Sequence, residues 1–167
     1  VSQEEYDKWL DEAKQKFAKE ERGFNNKKMA TQISHIYVMN LKTKKVREIK
    51  TKLDRGVSNI KWSGDNRNIV FTYATEGNTK LAKTSLNGKT KIIANNVGRG
   101  YSLSSTGKYV MLMTTPDIPS DIAVGNIQSG NPKKITFVNA DLFANKELGQ
   151  VEEIWYKSSY DGLDIQG

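Results

Sequence analysis

Cysteine is absent from this chain of 167 residues, and it has only one histidine and three prolines. Without cysteine there can be no disulfide and no thiolate metal site, and redox arguments leave the cellular compartment open. No apolar run approaches the roughly 18–20 residues that a membrane-spanning helix requires. The first residues do not resemble a signal peptide, and the chain begins with Val1 rather than methionine. We therefore expect a piece of a longer protein.

A repeated strand–turn–strand pattern occupies the middle of the chain. Residues 57–73 show it first, with turn residues around Gly64, and it recurs from Gly98 at an offset of 41 residues. In this alignment Trp62 corresponds to Leu103, and residues 69–71 correspond to residues 110–112. The offset is typical of one four-stranded blade of a β-propeller.

A second pair of strands follows each copy of the first. Residues 80–86 and 90–94 are joined through Asn87-Gly88, a hairpin signal in which both turn residues are expected to have positive φ. Matching pairs occupy residues 121–127 with 133–137, joined through Ser129-Gly130, and residues 35–41 with 45–49. The pattern predicts two whole four-stranded units preceded by half a unit. Five side chains are expected to be buried between the sheets: Trp62, Ile69, Phe71, Leu103 and Val110.

The N-terminal segment predicts an amphipathic α-helix over residues 2–22. Ser2 and Glu5 form a capping box. Apolar residues then follow at helical spacing, namely Tyr6, Leu10, Ala13 and Phe17, with Trp9 widening the stripe. Because acids and bases balance in this segment, we favour docking on the parent fold or a partner over binding to a membrane surface.

Three irregular segments complete the chain. Residues 115–120, TPDIPS, predict a loop longer than a tight hairpin, and residues 139–150 have room for one turn of helix. Residues 151–167 predict a strand, a turn at Asp161-Gly162 and a further strand that the end of the sequence interrupts. That interruption is a second reason to expect a longer parent protein.

The net charge of +7 resides in the β part, because residues 1–28 hold seven acids and seven bases. Its densest run consists of Lys42, Lys44, Lys45, Arg47, Lys50, Lys52, Arg55 and Lys61. One interpretation is a surface for nucleic acid or another polyanion. We favour protection of an edge strand against pairing with other chains, because no aromatic residues interleave these charges to stack on bases.

His35 is the only histidine, and it lies on a predicted strand without a second histidine or a cysteine nearby in sequence. We therefore assign it a structural or surface role rather than a catalytic or metal-binding one. No cofactor and no catalytic, cofactor-binding or metal residue is predicted in this chain.

Two stretches resemble the prolyl oligopeptidase family of serine peptidases. The pattern from Trp62 to Phe71, with the run from Ile36 to Leu41, is similar to the WD40-like repeats of its propeller. Residues 152–167, EEIWYKSSYDGLDIQG, resemble the linker through which its dipeptidyl-peptidase and acylaminoacyl-peptidase members enter the α/β-hydrolase domain. The resemblance covers about residues 33–167.

The catalytic parts of that family have no counterpart in this sequence. Its nucleophile elbow is G-x-S-x-G, whereas the nearest string, residues 100–104, lacks the second glycine. The dipeptidyl peptidases also hold the substrate amino group with a pair of glutamates. Neither Glu4-Glu5, explained by helix capping, nor Glu152-Glu153, explained by strand flanking, stands in that motif.

The sequence therefore predicts a mainly β protein, a partial β-propeller of four-stranded antiparallel blades with an N-terminal α-helix. Its expected parts are residues 1–32 as helix and connector, 33–138 as blades, and 139–167 as linker and start of the crossover to a hydrolase domain. As the resemblance implies, the segment would be non-catalytic and would help to gate peptide access to that domain. Its expected partners are the hydrolase domain, the remaining blades and, through open blade faces, other copies of itself. The alternative is a stand-alone interaction module that binds a protein or polyanion through basic blade edges.

Overall fold

The computed structural model of the protein describes residues 4–5, 7–12, 33–115, 118–149 and 151–167. The chain divides into two compact units, Val1–Gln32 and Ile33–Gly167. In the first unit residues 4–5 and 7–12 are helical and form α1. Trp9 is exposed and Leu10 is half-buried. The capping residue Ser2 and the stripe residues Tyr6, Ala13 and Phe17 lie outside the described residues. No helix in the part described has the length and hydrophobicity to cross a bilayer.

The second unit consists almost entirely of antiparallel strands, as the sequence predicts. The strands of the described residues are β1 (Ile36–Met39), β2 (Val46–Ile49), β3 (Val57–Trp62), β4 (Asn68–Thr75), β5 (Asn78–Ser85), β6 (Thr90–Ala94), β7 (Val97–Leu103), β8 (Lys108–Thr115), β9 (Ile118–Asn126), β10 (Gly130–Lys134), β11 (Trp155–Lys157) and β12 (Asp164–Gln166). A helical turn, α2 (Ala140–Phe143), lies between β10 and β11. β3–β6 form one four-stranded sheet, the first blade, and β7–β10 form another, the second blade. β1 and β2 form a two-stranded sheet, the half unit, and β11 pairs with β12.

Each face of the first blade packs against another sheet, one against the half unit and the other against the second blade. One face packs against Ile36 and Ile49 of the half unit through Ile69, Phe71, Tyr73 and Ala82. The other face presents Val70 and Leu81, which share a core with Val97, Tyr109, Met111 and Ala123 of the second blade. These clusters account for the short apolar runs in β4 and β8, since burying them between sheets removes apolar surface from water.

A hydroxyl group and a lysine also join the two blades. The Tyr101 hydroxyl lies 2.9 Å from the carbonyl oxygens of both Asn59 and Val70 in the first blade. The Lys61 ammonium lies 5.1 Å from the centre of the Tyr101 ring and 3.1 Å from the Tyr101 carbonyl oxygen. This contact fixes the position of the second blade at the irregular part of β3, where the pairing with β4 shifts register.

The predicted core needs correction at two positions. Ile69 and Phe71 are buried, as expected, and Leu103 packs on the core but is only partly buried, whereas Val110 is 42% exposed. The turn after β3 runs from Ser63 to Asn68, whereas the equivalent turn after β7 runs only from Ser104 to Lys108. Between β4 and β8 the true offset is therefore 40 residues. A slip of one residue moves a side chain to the opposite face of a sheet, so Tyr109 and Met111 are buried in place of Val110.

Trp62 was also expected in the core, and it is 47% exposed. It pairs with the buried Ile69, so both side chains lie on the face of the first blade that the half unit covers. The half unit has only two strands. Its buried residues Ile36 and Ile49 cluster with Val57, at the other end of β3, but not with Trp62.

Three connections differ in detail from the predictions. Thr115 pairs directly with Ile118, so the expected long loop over residues 115–120 is wrong. At Asn87-Gly88 only Gly88 has positive φ, although both residues were expected to have it. The Gly88 amide donates to the Ser85 carbonyl, so the turn spans residues 85–88 and begins one residue earlier than a turn with Asn87 and Gly88 at its centre. The last strand of the second blade begins at Gly130 and ends at Lys134 rather than spanning residues 133–137.

Candidate functional site

A cleft of about 1030 Å³ lies at one end of the two blades. The turn between β4 and β5, the connection between β6 and β7 and the C-terminal segment surround it. Its lining residues are Glu76–Thr79, Asn96–Arg99, Thr114, Thr115, Ser120, Val151–Glu153, Gln166 and Gly167. Three of these carry carboxylates and one, Arg99, carries a cation.

The β4–β5 turn brings Glu76 to the rim of the cleft. Thr75 pairs with Asn78, so the loop contains only two residues, and both Glu76 and Gly77 have positive φ. This is the geometry of a type I′ hairpin turn, which matches the twist of the flanking strands. Glu76 accepts a hydrogen bond from Lys80 at 2.5 Å. That bond raises the pKa of Lys80, against the opposing effect of burial, and the nearby Glu153 carboxylate adds to the rise.

Two asparagines join the wall of the cleft. The Asn78 amide donates to the side-chain oxygen of Asn96 at 2.5 Å, and the Asn96 backbone amide donates to Asn78 Oδ1 at 2.8 Å. The Asn96 carbonyl accepts from the Thr114 amide at 3.0 Å. Asn96 has positive φ, a conformation that asparagine tolerates better than most residues. The first and second blades are therefore tied together beside the cleft.

The C-terminal segment contributes the acidic side of the cleft. Glu152 and Glu153 flank β11, as predicted, but both also line the cleft, which the sequence reasoning missed. Glu153 accepts a hydrogen bond from Trp155 Nε1. The sequence does not indicate what a carboxylate pair directly before a strand faces, so only the folded chain shows that Glu152 and Glu153 line the same cleft as Glu76. These three carboxylates can bind ammonium or guanidinium groups, and Arg99 can bind a carboxylate.

His35 lies outside this cleft, next to β1. Its Nδ1 atom lies 2.9 Å from Glu48 Oε1, and both side chains are partly or largely exposed. The surface position predicted for it is confirmed. Ser102 of the elbow-like string lies within β7 and pairs with Val110, so it is not on a strand-to-helix turn. In the described ranges no three carboxylate or imidazole groups converge in a way that would hold a metal ion.

A buried carboxylate, Asp121, anchors the chain where the repeat ends. It accepts hydrogen bonds from Thr136 Oγ1 at 2.8 Å and the Val138 amide at 3.1 Å, and Lys134 Nζ lies at 3.2 Å. These bonds, led by that from Thr136, lower the pKa of Asp121. The Lys134 ammonium also lies 4.6 Å from the centre of the Phe137 ring. Because both carboxylate oxygens are engaged, the group holds the segment after β10 in place rather than facing a ligand.

The basic run lies on the half unit, on the connection to the first blade and, at Lys61, on β3. Every residue of the run is exposed. Arg47 donates to the Leu86 carbonyl at 2.7 Å, and Arg55 pairs with Asp54 at 3.1 Å. β2 pairs only with β1, so its other edge is free of strand pairing in the described chain. The position agrees with protection of an edge strand.

No protein-family model matches the chain, and no curated protein matches its sequence. Solved structures do match. An acylaminoacyl peptidase of Pyrococcus horikoshii is 21% identical over 73% of this chain and 18% of its own, with a TM-score of 0.58. An oligogalacturonate lyase in complex with manganese is 10% identical over 81% of this chain and 41% of its own, with a TM-score of 0.50. A prolyl endopeptidase is 15% identical over 79% of this chain and 20% of its own, with a TM-score of 0.48.

The chain thus spans about a fifth of the length of the two peptidases and less than half of the lyase. At these identities the likeness concerns the fold alone, and the acylaminoacyl peptidase and the lyase, whose TM-scores are 0.50 or more, are of propeller type. Together with the two packed four-stranded sheets, it confirms the predicted fold class. The chain is mainly β, and its two four-stranded sheets are neighbouring blades of a β-propeller fold.

Proposed function

We propose that the chain is a non-catalytic propeller segment of a serine peptidase of the prolyl oligopeptidase family. In this proposal it restricts the entry of peptides to a hydrolase domain that continues beyond Gly167. Residues 33–138 supply blade walls, and residues 139–167 supply the linker and the start of the crossover. The resemblance of residues 152–167 to that family's linker motivates the proposal.

The observation that carries the proposal is the state of the C-terminal hairpin. β11 and β12 pair over their whole length, from Trp155 with Gln166 to Lys157 with Asp164. One face of this hairpin carries apolar side chains that are largely uncovered, namely Ile154, Tyr156, Leu163 and Ile165. An apolar hairpin face of this kind is suited to packing against a further domain.

The position of the hairpin relates it to the cleft. Gln166 and Gly167 line the cleft together with Glu76 and Arg99. A domain that continues from Gly167 therefore begins at the mouth of the cleft, where blade loops can limit the size of what passes. Such exclusion of large substrates and water is a recognised use of lids and covering domains.

The test uses the longer protein and a single cysteine introduced into this cysteine-free segment. Thr79→Cys places the cysteine in the wall of the cleft, and Lys91→Cys places it at an exposed position of β6, outside the cleft lining. After reaction with a bulky maleimide, the Thr79→Cys protein should lose hydrolysis of long peptides while retaining hydrolysis of a small ester. The Lys91→Cys protein should retain both activities.

Two results would contradict the proposal. If no serine of the longer protein reacts with a fluorophosphonate probe, the parent is not a serine peptidase. If the probe reacts but the blocked cleft leaves long-peptide hydrolysis unchanged, the parent is a peptidase and the gating role is wrong.

A further inference from the structure

β7 has one residue more than β3, and the extra residue lies where β7 borders the cleft. Val57 is equivalent to Val97, and Lys61 to Ser102, because their partners in β4 and β8 are 40 residues apart in both cases. Val57 and Lys61 enclose three residues, whereas Val97 and Ser102 enclose four. In repeat proteins, insertions into single repeats often lie on the binding face. The second blade therefore departs from the repeat at the cleft.

The corresponding segment of β3 uses its polar side chains within the structure. The Ser58 hydroxyl oxygen lies 3.0 Å from Thr72 Oγ1, and the Asn59 side-chain amide donates to the same atom at 3.1 Å. The Asn59 carbonyl accepts the hydrogen bond from the Tyr101 hydroxyl. Both polar side chains of this segment are therefore engaged between and within the blades.

The inserted segment of β7 is Gly98-Arg99-Gly100, and it leaves a charged side chain free. No residue of β8 pairs with it, because the register of the two strands shifts here. A Cβ atom on Gly98 would lie 3.0 Å from Thr114 Oγ1, and Gly100 has a φ of 147°, which favours glycine. Arg99 is exposed and makes no hydrogen bond or ion pair with any described residue. The two glycines thus permit a bulge that presents an unpaired guanidinium group.

Arg99 lies on the side of the second blade that faces the first blade. It lines the cleft together with Glu76–Thr79 of the first blade and Asn96 of the connection between the blades. The residues that flank the insertion, Val97 and Tyr101, pack into the core between the blades. A further sheet on the opposite face of the second blade would therefore leave this guanidinium group in the cleft.

A guanidinium group in this position is suited to a carboxylate or a phosphate, which it can bind through two parallel hydrogen bonds. The carboxylates of Glu76, Glu152 and Glu153 line the same cleft, and they disfavour a dianion such as phosphate. A peptide with free termini carries one carboxylate and one ammonium group, so its net charge does not oppose entry. The cleft volume of about 1030 Å³ is at the upper end of the range for small-molecule sites, about 300–1,000 Å³.

The other side chains of the lining suit the backbone of such a peptide. Hydroxyl and amide groups outnumber aliphatic ones, and they include Thr79, Thr114 and Gln166. Of the lining residues only Val97 and Val151 have aliphatic side chains. The lining therefore offers hydrogen-bond partners for peptide N–H and C=O groups and no apolar pocket for a large side chain.

We propose that Arg99 binds the C-terminal carboxylate of a peptide that lies in the cleft. The guanidinium group and the carboxylate form a two-bond ion pair, and the hydroxyl and amide side chains bond to the last peptide groups. For the proposed gating function, on which this consequence rests, the cleft then favours short peptides with a free C-terminus over internal segments of folded proteins. The binding itself requires no hydrolase domain.

Calorimetric titration of the 167-residue chain with tetra-alanine and with tetra-alanine amide provides the test. Both peptides have an N-terminal ammonium group, and only the first has a C-terminal carboxylate. The free acid should bind at least about tenfold more tightly than the amide, because the amide loses charged hydrogen bonds. Arg99→Gln should weaken the free acid to the level of the amide and leave the amide unaffected, whereas Arg99→Lys should fall between. Arg55→Gln, at an exposed arginine outside the cleft lining, should change neither.

Other outcomes would overturn the proposal. If the free acid and the amide bind equally, or if neither binds, Arg99 does not hold a peptide carboxylate. If inorganic phosphate displaces tetra-alanine at a concentration near the Kd of the peptide, the cleft binds anions in general. If Arg55→Gln abolishes binding and Arg99→Gln does not, the ligand lies on the basic run. A failure of the gating role is distinguishable, because the blocked-cleft experiment on the longer protein would fail while tetra-alanine still bound to this chain.

Discussion

Tyr109 and Gly125 face each other across β8 and β9, and the phenol ring of Tyr109 covers the glycine. A Cβ atom added at Gly125 would lie 2.4 Å from the Tyr109 hydroxyl oxygen and 2.5 Å from Cζ. The ring is 1% exposed, and its hydroxyl is the one buried side-chain polar atom without a hydrogen-bond partner in the described residues. The glycine thus makes room for an aromatic ring that fills the core between the blades.

We expect Gly125→Ala to destabilise the chain by about 1–3 kcal/mol, because the ring must move within a packed core. Tyr109→Phe should change the free energy of unfolding by less than about 1 kcal/mol, since no hydrogen bond is lost. Urea unfolding measures both. Gly149→Ala is the matched control, because its Cβ would meet nothing within 4 Å. Equal stability of Gly125→Ala and the control would contradict this account.

A second close approach joins the turns of the two blades. A Cβ atom on Gly64 would lie 1.8 Å from the Ser105 carbonyl oxygen and 2.4 Å from its carbon. Backbone atoms cannot yield as a flexible side chain can. Gly64→Ala should therefore destabilise the chain by at least about 1–3 kcal/mol and loosen the contact between the blades. Hydrogen exchange should become faster in the core between the blades than in the core between the first blade and the half unit, which would show that the loss of stability is local. If Gly64→Ala has the stability and the exchange rates of the wild type, the close packing at Gly64 is wrong.

The sequence predicts the strands well and their faces less well. Turn residues and apolar runs determine where β3, β4, β7 and β8 lie, because these signals are local. Which face a residue occupies depends on the length of each turn, and one residue fewer between Ser104 and Lys108 exchanges Tyr109 for Val110 in the core. The burial predicted for Trp62 is wrong for another reason, since the residues of the two-stranded half unit cluster with other parts of the first blade and not with Trp62.

The candidate cleft was less predictable than the fold. Glu76, Arg99 and Glu153 come from a hairpin turn, a connection between blades and a segment beyond the repeat. None of them belongs to a sequence motif that specifies a ligand. Only the packing of the blades brings the first two together, and only the path of the chain after β10 adds the third.

The Asp121 cluster should make stability depend on acid pH. Its pKa is lowered in the folded chain, so its contribution is present above the ordinary aspartate pKa near 3.8 and is lost as the pH falls through the lower, folded value. Asp121→Asn should flatten this part of the stability–pH curve and speed hydrogen exchange at the Val138 amide. Asp54→Asn, at an exposed carboxylate, is the control. An unchanged curve in Asp121→Asn would contradict the assigned role.

The basic run gives a prediction that separates its two interpretations. If it only protects the edge of the half unit, changing Lys44, Lys45 and Lys50 to Glu should alter stability by no more than about 1 kcal/mol and leave the peptide hydrolysis that we propose for the parent protein nearly intact. The wild-type chain should then bind heparin or single-stranded DNA no better than the variant does. Binding that falls steeply with salt and disappears in the variant would instead identify a polyanion surface.

Tyr101 should govern stability at alkaline pH. Burial raises the pKa of its phenol above the ordinary value of 10.0, so the neutral form stabilises the fold. That contribution is complete below about pH 10 and is lost as the pH rises toward the folded pKa. Tyr101→Phe removes the hydroxyl bonded to Asn59 and Val70, which should cost about 0.5–1.5 kcal/mol at neutral pH. It should also weaken the decline in stability above pH 10, though not abolish it, because burial raises the pKa of Tyr73 and Tyr109 as well. Urea unfolding across this pH range, with the 96% exposed Tyr160→Phe as control, measures both effects. If Tyr101→Phe matches the control at every pH, the hydroxyl does not hold the blades together.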